Sequence, residues 1–123
     1  MYVLTVKKRF SAAHLLNNYQ GKCANLHGHT WLVEINVFGS ELDDKGMLLD
    51  FGYLKGQLEK LVGDYDHRYL NELPDFHEVN PTAENMARII FDKVKEFLPK
   101  HVSVDCVTVW ESPDASAVYK EDK

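Results

Sequence analysis

The chain has 123 residues, a length that suits one domain with one real hydrophobic core. Hydrophobic residues make up 45% and charged residues 27%, which excludes a disordered or fibrous chain. The net charge of −5 speaks against nucleic acid as the main partner.

Tyr2, Leu4, Val6 and Phe10 share one side of a period-two pattern, so a first strand is expected to end at Phe10. Lys7, Lys8 and Arg9 read as solvated charges at its end, and a local anion site is compatible with them. Ser11 to Thr30 is rich in Asn, Gly and His and lacks periodicity. So long a connection in a small domain is usually functional. Trp31, Val33, Ile35 and Val37 alternate with Leu32, Glu34, Asn36 and Phe38 in a second strand closed by Gly39. Asp43, Asp44 and Gly46 carry turn chemistry.

Asp50 is the expected N-cap of a helix whose Phe51, Leu54, Leu58 and Leu61 recur at helical spacing, with Gly63 as its stop. A second irregular stretch runs from Asp64 to Pro81. Thr82 then caps a helix with an apolar stripe of Ala83, Met86, Ala87, Ile90, Val94 and Phe97, ended by Pro99. Val102, Val104, Cys106, Thr108 and Trp110 alternate as a third strand, with Cys106 read as structural. Pro113-Asp114 centres a turn, and Ala115 to Lys120 forms a fourth strand. The expected fold is α+β, an antiparallel four-stranded sheet with two helices on one face, in the order β-β-α-α-β-β. Open sheet edges make association with other copies a natural expectation.

No apolar run approaches the ~20 residues that a bilayer requires, so no membrane partner is expected. Basic residues follow the short N-terminal apolar run, the reverse of a secretion signal. The expected compartment is the reducing cytosol, with Cys23 and Cys106 as free thiols.

His27-Gly28-His29 leads into the second strand. In extended backbone, residues two apart point to the same side, so both imidazoles reach one point. Gly28 between them adds no bulk and permits close backbone approach. His14 arrives from the neighbouring strand end. Three neutral imidazoles with a free fourth position describe a catalytic zinc site. With Cys23 as fourth ligand, four residues before His27, the same set describes a closed structural site. Cys23 also suits a base, once a cation or metal lowers its pKa. Asp66-His67 in the other long loop suits a proton relay or, equally, a surface ion pair. Glu111 ends the third strand on the face of Val107 and Val109, opposite Trp110. A carboxylate there accepts two hydrogen bonds from the amidine edge of a pterin or guanine ring, or is simply solvated.

Phe10-Ser11-Ala12-Ala13-His14 followed by Cys23-x-x-x-His27-Gly28-His29 resembles the 6-pyruvoyl-tetrahydropterin synthase superfamily. So do Gly46-Met47-Leu48-Leu49-Asp50-Phe51 with Leu54-Lys55, Asp66-His67-x-x-Leu70-Asn71, Asn80-Pro81-Thr82-Ala83-Glu84-Asn85 and Trp110-Glu111-Ser112. The resemblance spans residues 1–123 as one pterin synthase domain. Its departures are Tyr65 before Asp66 and Ser112 after Glu111, where Leu and Thr are common.

The resemblance implies Zn²⁺ on His14, His27 and His29. It makes Cys23 the catalytic thiol, Asp66 and His67 its proton-relay partners, and Glu111 the pterin anchor. It implies the tunnelling fold, whose subunits join sheets into barrels, as a hexamer of two trimers with active sites between subunits. The short gap between Cys23 and His27 is similar to that of the carboxy-forming branch rather than the pyruvoyl-forming one. That branch turns 7,8-dihydroneopterin triphosphate into 6-carboxy-tetrahydropterin, acetaldehyde and triphosphate, on the route to 7-deazaguanines and queuosine.

Overall fold

The computed structural model describes residues 1–17 and 25–122. Two long strands dominate it, β1 (Tyr2–His14) and β2 (His27–Gly39). After them come α1 (Phe51–Gly63), α2 (Ala83–Phe97), β3 (Ser103–Ser112) and β4 (Ala115–Tyr119). The four strands form one antiparallel sheet in the spatial order β1-β2-β3-β4. The α+β class and the β-β-α-α-β-β order are therefore as the sequence predicts.

Alternation decides which face is buried. On β2, Trp31, Val33, Ile35 and Val37 are fully buried, while Leu32, Glu34, Asn36 and Phe38 stay half-exposed on the other side. On β1, Val6, Phe10 and Ala12 join the buried face. Both helices lie against it. Leu54 and Leu58 of α1 and Met86, Ile90 and Val94 of α2 close the core over the sheet. The caps are the expected ones. Asp50 accepts a hydrogen bond from the Gly52 amide at 2.7 Å, and Thr82 accepts one from Asn85 at 3.1 Å.

Three details differ from the sequence reading. β1 does not stop at Phe10 but continues through Ser11 to His14, and β2 starts at His27 rather than Trp31. The backbone ladder carries both strands past their last large apolar residues, pairing Ala12 with His29 and His14 with His27. On β3, the core face is Val107 and Val109; Thr108 and Trp110 lie half-exposed on the opposite face, paired with Glu34 and Leu32. Cys106 is buried but sits beside Asn36, whose amide donates to its sulfur at 3.1 Å. A register shift between Asn36 and Val37 accompanies this change of face.

The stretch between the helices contains two 3-10 turns, Leu70–Glu72 and Pro74–Phe76. Tyr65, one of the noted departures, anchors it from inside. Its ring packs on Phe10 and Phe76, and its hydroxyl donates to Asp75 at 2.7 Å. Burial and the Asp75 carboxylate push its pKa far up, so it stays a neutral donor.

Gly39 ends β2 under tight packing. A Cβ there would lie 2.7 Å from the His101 carbonyl oxygen and 2.7 Å from Leu48 Cδ1. Because one obstacle is backbone, Gly39→Ala is expected to destabilise the protein by about 1–3 kcal/mol. Urea unfolding reads this as a lower midpoint at unchanged slope; a wild-type midpoint would refute the packing argument.

Candidate metal centre

The β1–β2 ladder ends in three imidazoles. His14 and His27 are directly paired residues, and His29 lies two residues further along β2 on the same face. The Trp31 indole forms their floor, with its ring centroid 5.0 Å from that of His14 and 5.4 Å from that of His29, both edge-on. Glu111, near the end of β3, brings a carboxylate to the same point. One donor atom from each of His14, His27, His29 and Glu111 lies within 4.8 Å of the others.

Hydrogen bonds fix which ring nitrogen faces inward. His14 Nδ1 donates to the Pro81 carbonyl at 2.8 Å, and His27 Nδ1 donates to the Asn25 carbonyl at 2.6 Å. A carbonyl only accepts, so each Nδ1 carries the proton, and a neutral ring then leaves Nε2 bare. The two Nε2 atoms face each other 3.0 Å apart. His29 Nε2 is buried with no hydrogen-bond partner among the described residues. Glu111 Oε1 lies 3.0 Å from it but out of line for a hydrogen bond, and 3.5 Å from His14 Nε2.

Bare lone pairs converging in a buried place fit a cation. Tetrahedral nitrogen ligands at ~2.0–2.1 Å from one zinc ion stand about 3.3 Å apart, close to what this pair shows. The carbonyl-anchored imidazole is also the usual outer support of a metal ligand. Burial holds the pKa values of His14 and His29 below the ordinary imidazole range, the Pro81 carbonyl and Glu111 only partly offsetting it. Both rings are therefore ready as neutral ligands at neutral pH.

Asp66 and His67 dock along the outer edge of β1. The Ser11 amide donates to Asp66 Oδ1 at 2.9 Å, and the His67 amide donates to the Ser11 carbonyl. Ala13 donates to the Arg68 carbonyl and bridges to Tyr69 in parallel. This short stretch thus docks as an added edge segment. His67 Nδ1 lies 3.0 Å from Asp66 Oδ2. The Ser11 amide, helped by His67, keeps the Asp66 carboxyl below its usual range, so it is ionised at neutral pH. His67 holds a φ of 58°, a left-handed conformation that side chains avoid and that often marks functional positions. His67 and His29 both border one cleft, together with Ser11, Gly28 and Arg68.

Cys23 lies outside the described residues. Sequence reasoning gave no role to Asn71 and Asn80, although both fall within family-like motifs. Asn71 clasps the Leu15 amide and carbonyl, each at 3.0 Å, and Asn80 does the same for Asn17 at 2.9 and 3.1 Å. These clasps hold the chain just beyond His14. The carbonyls of Asn25 and Pro81 were also missed, since a backbone acceptor has no residue-type signal.

The lowered histidine pKa values give metal-free protein a pH dependence. Below the ordinary value of 6.5, the unfolded chain takes up protons that folded His14 and His29 refuse. Stability is therefore full above that pH and falls as pH drops through it. Chelator-treated protein is expected to lose unfolding midpoint from pH 6.5 downward, and His29→Asn to flatten that decline. A midpoint that rises on acidification would contradict the neutral assignment.

A profile of the family described as 6-pyruvoyl tetrahydropterin synthase matches residues 3–122. The 6-carboxy-5,6,7,8-tetrahydropterin synthase of Bacillus subtilis is 39% identical, covering 99% of this chain and 87% of that protein. The dihydroneopterin monophosphate aldolase of Pyrococcus furiosus is 36% identical, over 83% of this chain and 82% of its own. The solved structure of Caenorhabditis elegans 6-pyruvoyl tetrahydropterin synthase matches with a TM-score of 0.82 at 30% identity, covering 99% of this chain and 98% of that one. Its likeness extends to the whole sheet-and-two-helix architecture, the tunnelling fold. With fold, motif order and full-length similarity in agreement, the chain belongs to the 6-pyruvoyl tetrahydropterin synthase family.

Proposed function

We propose that the chain is a zinc-dependent 6-carboxy-5,6,7,8-tetrahydropterin synthase. This lyase converts 7,8-dihydroneopterin triphosphate to 6-carboxy-tetrahydropterin, acetaldehyde and triphosphate. The observation that carries the reading is the inward-facing cluster of His14, His27 and His29 in a chain 39% identical to a relative of that name. Queuosine synthesis in the cytosol is the setting that goes with this activity. Among the described residues, no helix is long and apolar enough to cross a membrane. The outer edge of β4, unpaired among the described residues, supports association with other copies, and a hexamer of two trimers is the assembly that goes with this reading.

His14, His27 and His29 would hold Zn²⁺ through Nε2. Bound there, the ion supplies Lewis acidity to the oxygens of the substrate side chain. Glu111 accepts hydrogen bonds from the N–H groups of the pterin ring and so sets how far the side chain reaches toward the histidines. Cys23, as thiolate, takes a proton from that side chain. Asp66 accepts the Nδ1–H of His67, which leaves His67 Nε2 to receive and return protons. His67 and His29 border one cleft, which supports this division of work.

The Pyrococcus relative favours a second reading, cleavage of dihydroneopterin monophosphate by the same site. Incubation of zinc-loaded protein with each phosphate separates the two. Acetaldehyde with 6-carboxy-tetrahydropterin from the triphosphate supports the synthase. Accumulation of 6-pyruvoyl-tetrahydropterin without acetaldehyde, or turnover of the monophosphate alone, would overturn it.

Residue roles are testable separately. Cys23→Ala is expected to keep zinc and lose about 10²–10⁴-fold in turnover, the range for an acid–base group. Loss of zinc together with folding would instead make Cys23 a structural ligand. Glu111→Gln places a donor against ring donors and should raise KM for the pterin substrate about 10-fold or more. Unchanged KM and turnover would remove Glu111 from ring recognition.

A further inference from the structure

The His67 side chain is 83% exposed, so packing does not aim its ring. Two things do: the Asp66 carboxylate, 3.0 Å from Nδ1, and the backbone beneath it. That backbone is a turn closed by the Arg68 amide, which donates to the Tyr65 carbonyl at 3.2 Å. His67 is its third residue and holds its φ of 58° there, in a conformation that turns usually give to glycine or asparagine. A residue with a Cβ stays left-handed only where its surroundings over-determine the conformation.

The turn is held from two sides. On the β1 side, the Ser11 carbonyl accepts the His67 amide at 2.6 Å, and the Ser11 amide donates to Asp66 at 2.9 Å. On the core side, the turn begins at Tyr65, which is 1% exposed. The amides of Tyr65 and Asp66 both donate to the Val62 carbonyl near the end of α1, at 2.9 and 3.0 Å. The Tyr65 ring packs on Phe10 and Phe76, with centroids 5.8 and 5.7 Å away. Its hydroxyl donates to Asp75 Oδ2 at 2.7 Å. Lys93 of α2 donates to the same oxygen at 2.6 Å and lies 5.5 Å over the Tyr65 ring. Ring contacts alone let a flat side chain slide in its slot, whereas a charged acceptor fixes the hydroxyl at one point.

We propose that Tyr65 is a positioning residue for the Asp66–His67 pair, its hydroxyl on Asp75 locking the turn that keeps His67 left-handed. The proposal rests on the proton-relay reading above. With the turn locked, Asp66 meets the Ser11 amide through Oδ1 and His67 through Oδ2, so one carboxylate serves both the turn and the ring. With the turn loose, a conformation without positive φ becomes accessible to His67, and the ring leaves the cleft that it borders with His29. Tyr65 itself touches neither the histidine cluster nor Glu111, so its loss falls on turnover rather than on metal or substrate binding.

Three variants test this. Tyr65→Phe keeps the ring and removes the hydroxyl. Asp75→Ala removes the acceptor. Asp75→Asn keeps an oxygen for the hydroxyl but ends the ion pair with Lys93. In zinc-loaded protein acting on 7,8-dihydroneopterin triphosphate, the first two should lower kcat about 10- to 100-fold, the scale of an ångström-sized misplacement, with KM and zinc content unchanged. Asp75→Asn should stay near wild type. Amide hydrogen exchange gives a readout independent of activity. The His67 amide should exchange faster in Tyr65→Phe and Asp75→Ala, while the amides of Val33 and Ile35 in β2 keep their protection. Faster exchange spread over β1 and β2, or a raised KM at unchanged kcat, would reduce Tyr65 to a packing residue. If Asp75→Asn falls as far as Asp75→Ala, the ion pair and not the hydroxyl holds the turn, and the proposal is wrong. Wild type without turnover, or His67→Ala with full turnover, would sink the relay reading and this proposal with it. A strong loss in His67→Ala beside an indifferent Tyr65→Phe would sink this proposal alone.

Discussion

In the β1–β2 ladder the pairing runs unbroken from Tyr2 opposite Gly39 to His14 opposite His27. The pleat sends Val6, Phe10, Ala12 and His14 to one face of β1, and Ile35, Val33, Trp31, His29 and His27 to the same face of β2. A slip of one residue on either strand would turn its whole set over, replacing His14 with Ala13 and exposing Phe10. The register that assembles the histidines is therefore enforced far from them, by apolar residues that must be buried. The site inherits its precision from the core.

Such a site needs its open end tied down, because the strands stop there and the backbone turns away. Asn71 and Asn80 perform this by clasping Leu15 and Asn17, and both belong to the stretch between the helices. That stretch is in turn held to α2 and the core. Lys93 reaches Asp75 at 2.6 Å, and Asp75 accepts the Tyr65 hydroxyl. The Asn85 side chain donates to the Asn80 carbonyl at 2.9 Å. The Pro81 carbonyl that orients His14 is thus positioned by the start of α2. Local polar contacts do for the loop what the ladder does for the strands.

The legibility of the sequence follows the same division. β2 and both capped helices were readable, because large apolar residues recur there at one period and Asp50 and Thr82 punctuate them. β1 beyond Phe10 was not, because Ser11-Ala12-Ala13 offers too little polarity contrast to show a face. On β3 the core face was not legible. Cys106, Thr108 and Trp110 alternate as well as Val107 and Val109 do, and the packing of α2 on the sheet chooses between them, while the irregularity beside Val37 puts Val104 against the core. The histidines were readable as a set because His27 and His29 have strand spacing. What turns their Nε2 atoms inward was hidden, since it comes from the carbonyls of Asn25 and Pro81, and every residue has a carbonyl.

The same carbonyls make the cluster fit a cation. They force the proton onto Nδ1 of His14 and His27, leaving two lone pairs face to face at 3.0 Å beside the unpartnered Nε2 of His29. Neutral rings so placed repel, and protonating one would require charge in a place where burial opposes it. A dication bound there would resolve both problems by accepting the three lone pairs at once. Its binding energy would then appear as stability, because the unfolded chain has no such convergence. Unlike a small zinc finger, this chain has a large apolar core that does not include the ligand atoms. The geometry of the three imidazoles is consequently fixed by the ladder and the core themselves.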